Sequence, residues 1–174
     1  LVLALTHAAE AAGATVQHGS VTGLRTRDGK VEAVLLGDDE IATRNVVLAM
    51  GPWAADASSW VNVPTPVTPL KGQILRMRVP GPPVQCSLGW EGNYATTKPD
   101  GLLWAGTTEE DAGFDETLTE GAQDSIMTRL LKMLPSLKDA ELVLQTACLR
   151  PLSEDRLPIL GRVPTLDGAY VATG

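Results

Sequence analysis

Ala147-Cys148-Leu149-Arg150-Pro151-Leu152-Ser153-Glu154-Asp155-Arg156-Leu157-Pro158-Ile159-Leu160-Gly161 joins two apolar runs through an acidic turn. Leu142 to Leu149 read as a strand that ends at Arg150. Pro151 is expected to stop the ladder there, because proline has no N–H to donate. The second apolar run is expected to be capped by Gly161. Arg150 is thus placed at a strand end, where side chains often point into a cleft. A guanidinium is a permanent planar cation that can grip a carboxylate through two parallel hydrogen bonds. The same arginine also fits a structural role, pairing with Glu154 or Asp155 to stiffen the turn. Spacing alone leaves both readings open.

Upstream of this stretch, Thr117 to Leu134 is the clearest helix. Thr117 and Glu120 fit a capping box, and Ile126, Met127, Leu130, Leu131 and Leu134 form one apolar stripe, with Pro135 as the stop. The stripe reads as core packing. Further back, Gly72 to Val79, Val84 to Gly89, Tyr94 to Lys98 and Leu102 to Thr107 read as strands of an antiparallel array. Pro64, Pro66 and Pro69 make residues 63–69 an extended crossover that cannot pair in a central strand.

The first part of the chain reads differently. Leu1 to Ala12 is a helix rich in Ala and Leu. Short strands are expected at Thr15 to His18, Val21 to Thr26, Val31 to Leu36 and Ile41 to Arg44, with Asp28-Gly29 as a hairpin turn. Val46 to Met50 reads as a strand buried on both faces, ending at Gly51. Gly51 suits either a close approach of ligand to backbone or a simple strand-to-helix turn, followed by a short helix at residues 54–60. Ala169 to Ala172 is the last strand.

The chain has 174 residues, 44% of them hydrophobic and 20% charged, which suits a globular protein with a substantial core. A net charge of −7 without clustered Lys and Arg argues against a nucleic-acid binder. No apolar run approaches the roughly 20 residues that span a bilayer, and no signal peptide is legible. Cys86 and Cys148 are expected to be buried free thiols in a reducing, cytoplasmic setting. His7 and His18 lack metal-ligand spacing, so no metal site is expected. The chain begins without Met inside a helical pattern and ends just after an apolar strand, so a piece of a longer protein is expected. Its helix Leu1–Ala12 and strand Val46–Met50 would then expose apolar surface, which favours a homo-oligomer.

Several pieces recur in one order: Val46–Met50 with Gly51-Pro52-Trp53, then Lys71-Gly72-Gln73, Tyr94 before Lys98-Pro99-Asp100-Gly101, and Gly106-Thr107-Thr108-Glu109. Leu149-Arg150-Pro151, Asp155, Leu157-Pro158-Ile159-Leu160-Gly161 and Tyr170-Val171-Ala172-Thr173-Gly174 follow. This order resembles the D-amino-acid oxidase family of flavoproteins, and most of all its glycine oxidase and sarcosine oxidase branch. The resemblance covers nearly the whole chain. It implies an α+β fold, with an incomplete α/β FAD-binding portion and a largely antiparallel substrate sheet under a covering helix. Residues 1–63 would belong to the FAD-binding part, 64–147 to the substrate part, and 148–174 to the FAD-binding part again.

The resemblance further implies oxidation of a C–N bond in a small amino acid or secondary amine. Hydride goes to FAD, and O2 receives the electrons as peroxide. Arg150 resembles the arginine that holds the substrate carboxylate, and Tyr94 a tyrosine lining that pocket. Tyr94 equally fits a half-buried strand aromatic. Val21 resembles the residue whose backbone meets the adenine. Gly51 and Trp53 lie where the family's strand passes the dinucleotide, and Gly161 near a flavin-facing turn. Some amine oxidases carry an oxygen-activating lysine near the position of Trp104, and that role stays unassigned here. No Gly-x-Gly occurs, so the family's phosphate loop is absent, and the 174-residue piece alone is expected to hold FAD weakly and to be inactive. Two alternatives remain: a dehydrogenase of the same family that uses a quinone or carrier protein, and a non-catalytic β-rich binding module.

Overall fold

The computed structural model describes residues 1–174. The helix formers at the start give α1 (Val2–Ala11), no residue of which is buried. Residues 15–18, expected as a strand, form none and are exposed. An extended run without a neighbour to complete its ladder gains nothing from extension. β1 (Gly23–Arg27) and β2 (Lys30–Leu36) are joined by Asp28 (φ 50) and Gly29 (φ 72), the left-handed pair that a tight hairpin requires. β3 (Asp39–Ala42) completes a three-stranded sheet.

β4 (Val46–Leu48) is shorter than expected and is not buried on both faces: Leu48 is buried, but Val47 is 61% exposed. A 3₁₀ turn (Gly51–Ala57) and α2 (Ser58–Val61) follow, where one short helix was expected.

β5 (Val67–Arg78), β6 (Leu88–Trp90), β7 (Asn93–Thr97), β8 (Leu103–Gly106) and β9 (Glu141–Ser153) form one antiparallel sheet in the order β6-β7-β8-β5-β9. Two proline expectations are corrected here. β5 begins inside the expected crossover, and β9 runs through Pro151, with Pro69 directly opposite it. Lys71 N–H bonds to Glu110, away from β9. By alternation the N–H missing from Pro69 would point the same way, and that missing from Pro151 would point to the free edge. Neither proline therefore costs a bond between β5 and β9.

α3 (Glu120–Met133) is capped by Thr119, whose hydroxyl accepts from Ala122 N, and not by Thr117. Thr117 is held outside the helix by two bonds to Asp115. Ile126 and Leu130 of α3 are fully buried against Leu75, Met77, Ala95, Leu103 and Ala105 of the sheet. The spacing of the α3 stripe thus decides which sheet face is covered.

β10 (Ile159–Arg162) and β11 (Ala169–Thr173) are antiparallel, and β11 lies parallel to β4. Gly161 sits inside β10 opposite Val171, so it does not cap the run. A second core joins Val31, Leu48, Ala57, Val61, Val163, Leu166 and Ala169. Cys86 and Cys148 are free but exposed, contrary to the expected burial. Cys148 lies opposite Gly72, which offers no side chain to cover it. The architecture is α+β, as expected.

Candidate active site on the open sheet face

Strand alternation sorts the residues of the large sheet into two sets. Lys71, Gln73, Leu75 and Met77 of β5 are buried on the α3 side. Leu70, Gly72, Ile74 and Arg76 face the other way, as do their cross-strand partners Arg150, Cys148, Thr146 and Leu144 on β9. Gly106 and Trp104 on β8 and Tyr94 on β7 complete this open face.

Arg150 makes no ion pair with Glu154 or Asp155; Asp155 instead accepts from Leu157 N at 3.0 Å. The turn is thus closed without the arginine. Its guanidinium lies across Gly72, where an added Cβ would fall 2.9 Å from Nη2 and 3.1 Å from Cζ. Nη2 donates to the Thr108 carbonyl at 2.9 Å, and Nε is buried without a partner. Gly72 matters here for the space above its Cα.

Tyr94 shares this face. Burial raises the pKa of its hydroxyl, the neighbouring Cys148 adds to the rise, and Arg150 opposes it. The hydroxyl therefore stays protonated through neutral pH and can donate a hydrogen bond. The structure thus brings the two side chains to one face: Arg150 stands opposite Leu70, two rows from the Ile74 row of Tyr94, and its guanidinium over Gly72 closes one of them.

The other four expected site residues lie elsewhere. Gly51 ends the β4 segment at φ 55 with open space where a Cβ would be, and its carbonyl accepts from Thr173 Oγ1 at 3.2 Å. Trp53 is half-exposed and stacks on Phe114, with ring centroids 5.8 Å apart. Gly161 is exposed in β10. Val21 is an exposed residue on the approach to β1, in a different sheet.

A polar cluster under the open face had no assigned role in the sequence. Lys71 is 1% exposed and lies 3.7 Å from both Glu110 and Asp115. Gln73 is fully buried; its Nε2 donates to Glu110 (3.0 Å) and Thr119 (3.0 Å), and its Oε1 accepts from Thr119 N (3.1 Å) and Gln145 Nε2 (2.8 Å). Gln73 N also donates to Thr108 Oγ1 (2.9 Å), whose hydroxyl bonds Glu110. Burial pushes the Glu110 pKa up, but the bonds from Thr108 and Gln73 and the Lys71 charge outweigh it, leaving the pKa low. Bonds from Thr117 lower Asp115, assisted by Lys71 against a small burial effect. The cluster ties residues 107–119 to β5, and this segment carries the carbonyl that Arg150 grips. One signal was available: Lys71 and Gln73 fall on the same alternation as Leu75 and Met77, so they had to be buried polar groups. A cleft of about 780 Å³ beside this segment is lined by Thr107, Glu109, Thr119 and Arg129, and neither Arg150 nor Tyr94 lines it.

The matching family model is the DAO family, FAD dependent oxidoreductase, and it covers residues 1–174. The chain belongs to this family of FAD-dependent enzymes. It is 32% identical over 158 residues to glycine oxidase of Pseudomonas putida, covering 91% of this chain and 43% of that protein. The crystal structure of glycine oxidase from Geobacillus kaustophilus superposes with a TM-score of 0.91 at 30% identity, over 99% of this chain and 47% of that one. That of iminodiacetate oxidase from Chelativorans sp. gives 0.91 and 30%, over the same shares. The chain spans somewhat less than half the length of the curated relatives it matches.

Part of an FAD site fits the residues present. β4 and β11 are parallel neighbours, and ligands of α/β sheets bind beyond the carboxyl ends of such strands. Gly51 stands at that end with bare backbone and open space on its Cβ side. No helix of the structure is long and apolar enough to cross a membrane.

Proposed function

We propose that the protein oxidises the C–N bond of a small amino acid or secondary amine, with Arg150 and Tyr94 holding the substrate carboxylate on the open sheet face. The observation that carries this reading is the state of Arg150. It lies half-buried on an uncovered face, leaves the two acids of its own turn unused, and keeps an unpartnered Nε. A cation so placed is free to form two charge-assisted bonds with a carboxylate. The Thr108 carbonyl fixes the plane of its guanidinium, and the protonated Tyr94 hydroxyl adds a third donor.

Gly51, Trp53, Gly161 and Val21 are proposed contacts of FAD, with residues 1–63 and 148–174 forming its share of the domain and 64–147 the substrate share. When bound, FAD supplies the two-electron acceptor, and O2 is the proposed final oxidant. Arg150 and Tyr94 would fix the carboxylate end of the substrate on the open face. Assembly into a dimer or larger species is part of the proposal. A cytoplasmic location fits the two free thiols.

The test is peroxide release by the flavin-loaded full-length protein on addition of glycine, sarcosine and other small amino acids. Substrate-dependent bleaching of the flavin without peroxide would replace O2 with another acceptor. No bleaching with any amino acid or amine would overturn the reading. Arg150→Lys should raise KM for carboxylate substrates about 100-fold, since a lysine cannot form the bidentate pair. An unchanged KM removes Arg150 from the site.

A further inference from the structure

The upper half of the open face carries a second cation without an acid. The Arg76 guanidinium stacks over Trp104 at 4.2 Å from the ring centroid, and Lys98 Nζ lies 5.6 Å from the same ring. Neither side chain forms a salt bridge. The nearby acid, Asp100, is engaged by Leu102 N and Trp104 Nε1. Arg76 Nε is buried with no partner. Two cations thus converge on one indole beside a single carboxylate that forms a salt bridge with neither. Stacking alone fills the face of the indole and leaves the N–H edge of the guanidinium unused.

This cluster and Arg150 share one face. The Arg150 guanidinium sits over Gly72, four residues along β5 from Arg76, so the two rows are about 13 Å apart. Between them lies one row of Ile74, its cross-strand partners Gly106 and Thr146, and Tyr94 opposite Gly106, an uncharged floor with two hydroxyls. A cation at each end of an uncharged floor is the complement of a molecule with two anionic ends.

We propose that Arg76 and Lys98, stacked on Trp104, form a second anion-binding point, and that the substrate is an elongated amino acid or secondary amine whose far end carries a second carboxylate. The substrate half of this statement rests on the oxidation reading above; the binding half does not.

The experiment is a calorimetric titration of the flavin-loaded full-length protein with linear dicarboxylates from malonate to sebacate, with acetate as the single-ended reference. Affinity should rise with chain length and reach about tenfold over acetate at the lengths that bridge both rows. Arg76→Gln should abolish that gain, and Arg76→Lys should restore part of it. Should Arg76→Gln not fold, Lys98→Gln carries the same comparison on an exposed side chain. A flat length series, or a length preference that survives Arg76→Gln, overturns the second point. In turnover, Arg76→Gln should raise KM for an N-carboxyalkyl glycine about tenfold more than for glycine itself. Peroxide from glycine with a flat dicarboxylate series sinks this site and leaves the oxidation reading standing. A length series lost in Arg76→Gln without any turnover does the reverse.

Discussion

Lys71 and Arg150 are both cations on the β5–β9 pair, placed on opposite faces of one sheet. Lys71 is buried between Glu110 and Asp115, within a network in which Gln73 spends both ends of its amide. Arg150 has no acid, one backbone acceptor and an unpartnered Nε. On the helix-covered face, buried side chains such as Lys71 and Gln73 must be satisfied internally. Asn93 is its exception, buried with neither amide atom bonded. The open face is not under that demand, and its cations stay unpaired. One face holds the sheet together, and the other carries the proposed substrate site.

The most damaging way to break the contrast is from the covered side. Gln73→Leu keeps volume and apolar packing but strands Glu110, Thr119 and Gln145. Urea unfolding should show a loss of about 2–4 kcal/mol, because several buried partners lose their bonds together. A loss below about 0.5 kcal/mol would mean that the network is not integral to stability. The 107–119 segment should loosen with it, seen as faster amide exchange at Thr108 and Glu110.

From the open side the effect should fall on binding. Gly72→Ala places a methyl against the Arg150 guanidinium and the Thr107 hydroxyl. Both are movable side-chain ends, and the backbone needs no positive φ, so the unfolding midpoint should shift by no more than about 1 kcal/mol. The displaced guanidinium should raise KM for a carboxylate substrate about tenfold. A large stability loss with KM unmoved would reverse the assignment of the two faces.

How much of this was legible beforehand depends on range. The Asp28-Gly29 hairpin and the α3 stripe are local patterns, and the structure bears out both. Pro151 does not stop the ladder because proline's missing N–H matters only on the paired side, and the side is set by a strand 82 residues away in sequence (Pro69 opposite Pro151). Thr117 does not cap the helix because Asp115 competes for it and Thr119 serves equally well by type. For Arg150, two acids stand within five residues, Glu154 and Asp155, and only the fold shows that Leu157 N takes one of them. The Lys71–Glu110–Asp115 cluster joins segments about 40 residues apart, which no spacing rule connects.

The smallest expected effect separates the faces by pH. Glu110 has a lowered pKa in the folded protein, so the unfolded chain binds more protons than the folded one as acid is added. Its contribution to stability is therefore complete above the ordinary carboxylate range. It is lost progressively as the pH falls through that range to the lower folded value. Asp115 is lowered in the same direction by Thr117 and Lys71, but it is exposed, so its share is screened. Glu110→Gln should flatten the acid limb of a stability-against-pH curve while leaving a lowered neutral plateau, because Lys71 keeps only Asp115 as an acid partner. Arg150→Lys should leave the acid limb as it is, because no carboxylate of the folded chain pairs with Arg150. Should the acid limb of Arg150→Lys flatten as well, a carboxylate must be bound to Arg150 in the folded state, and the open face would not be free.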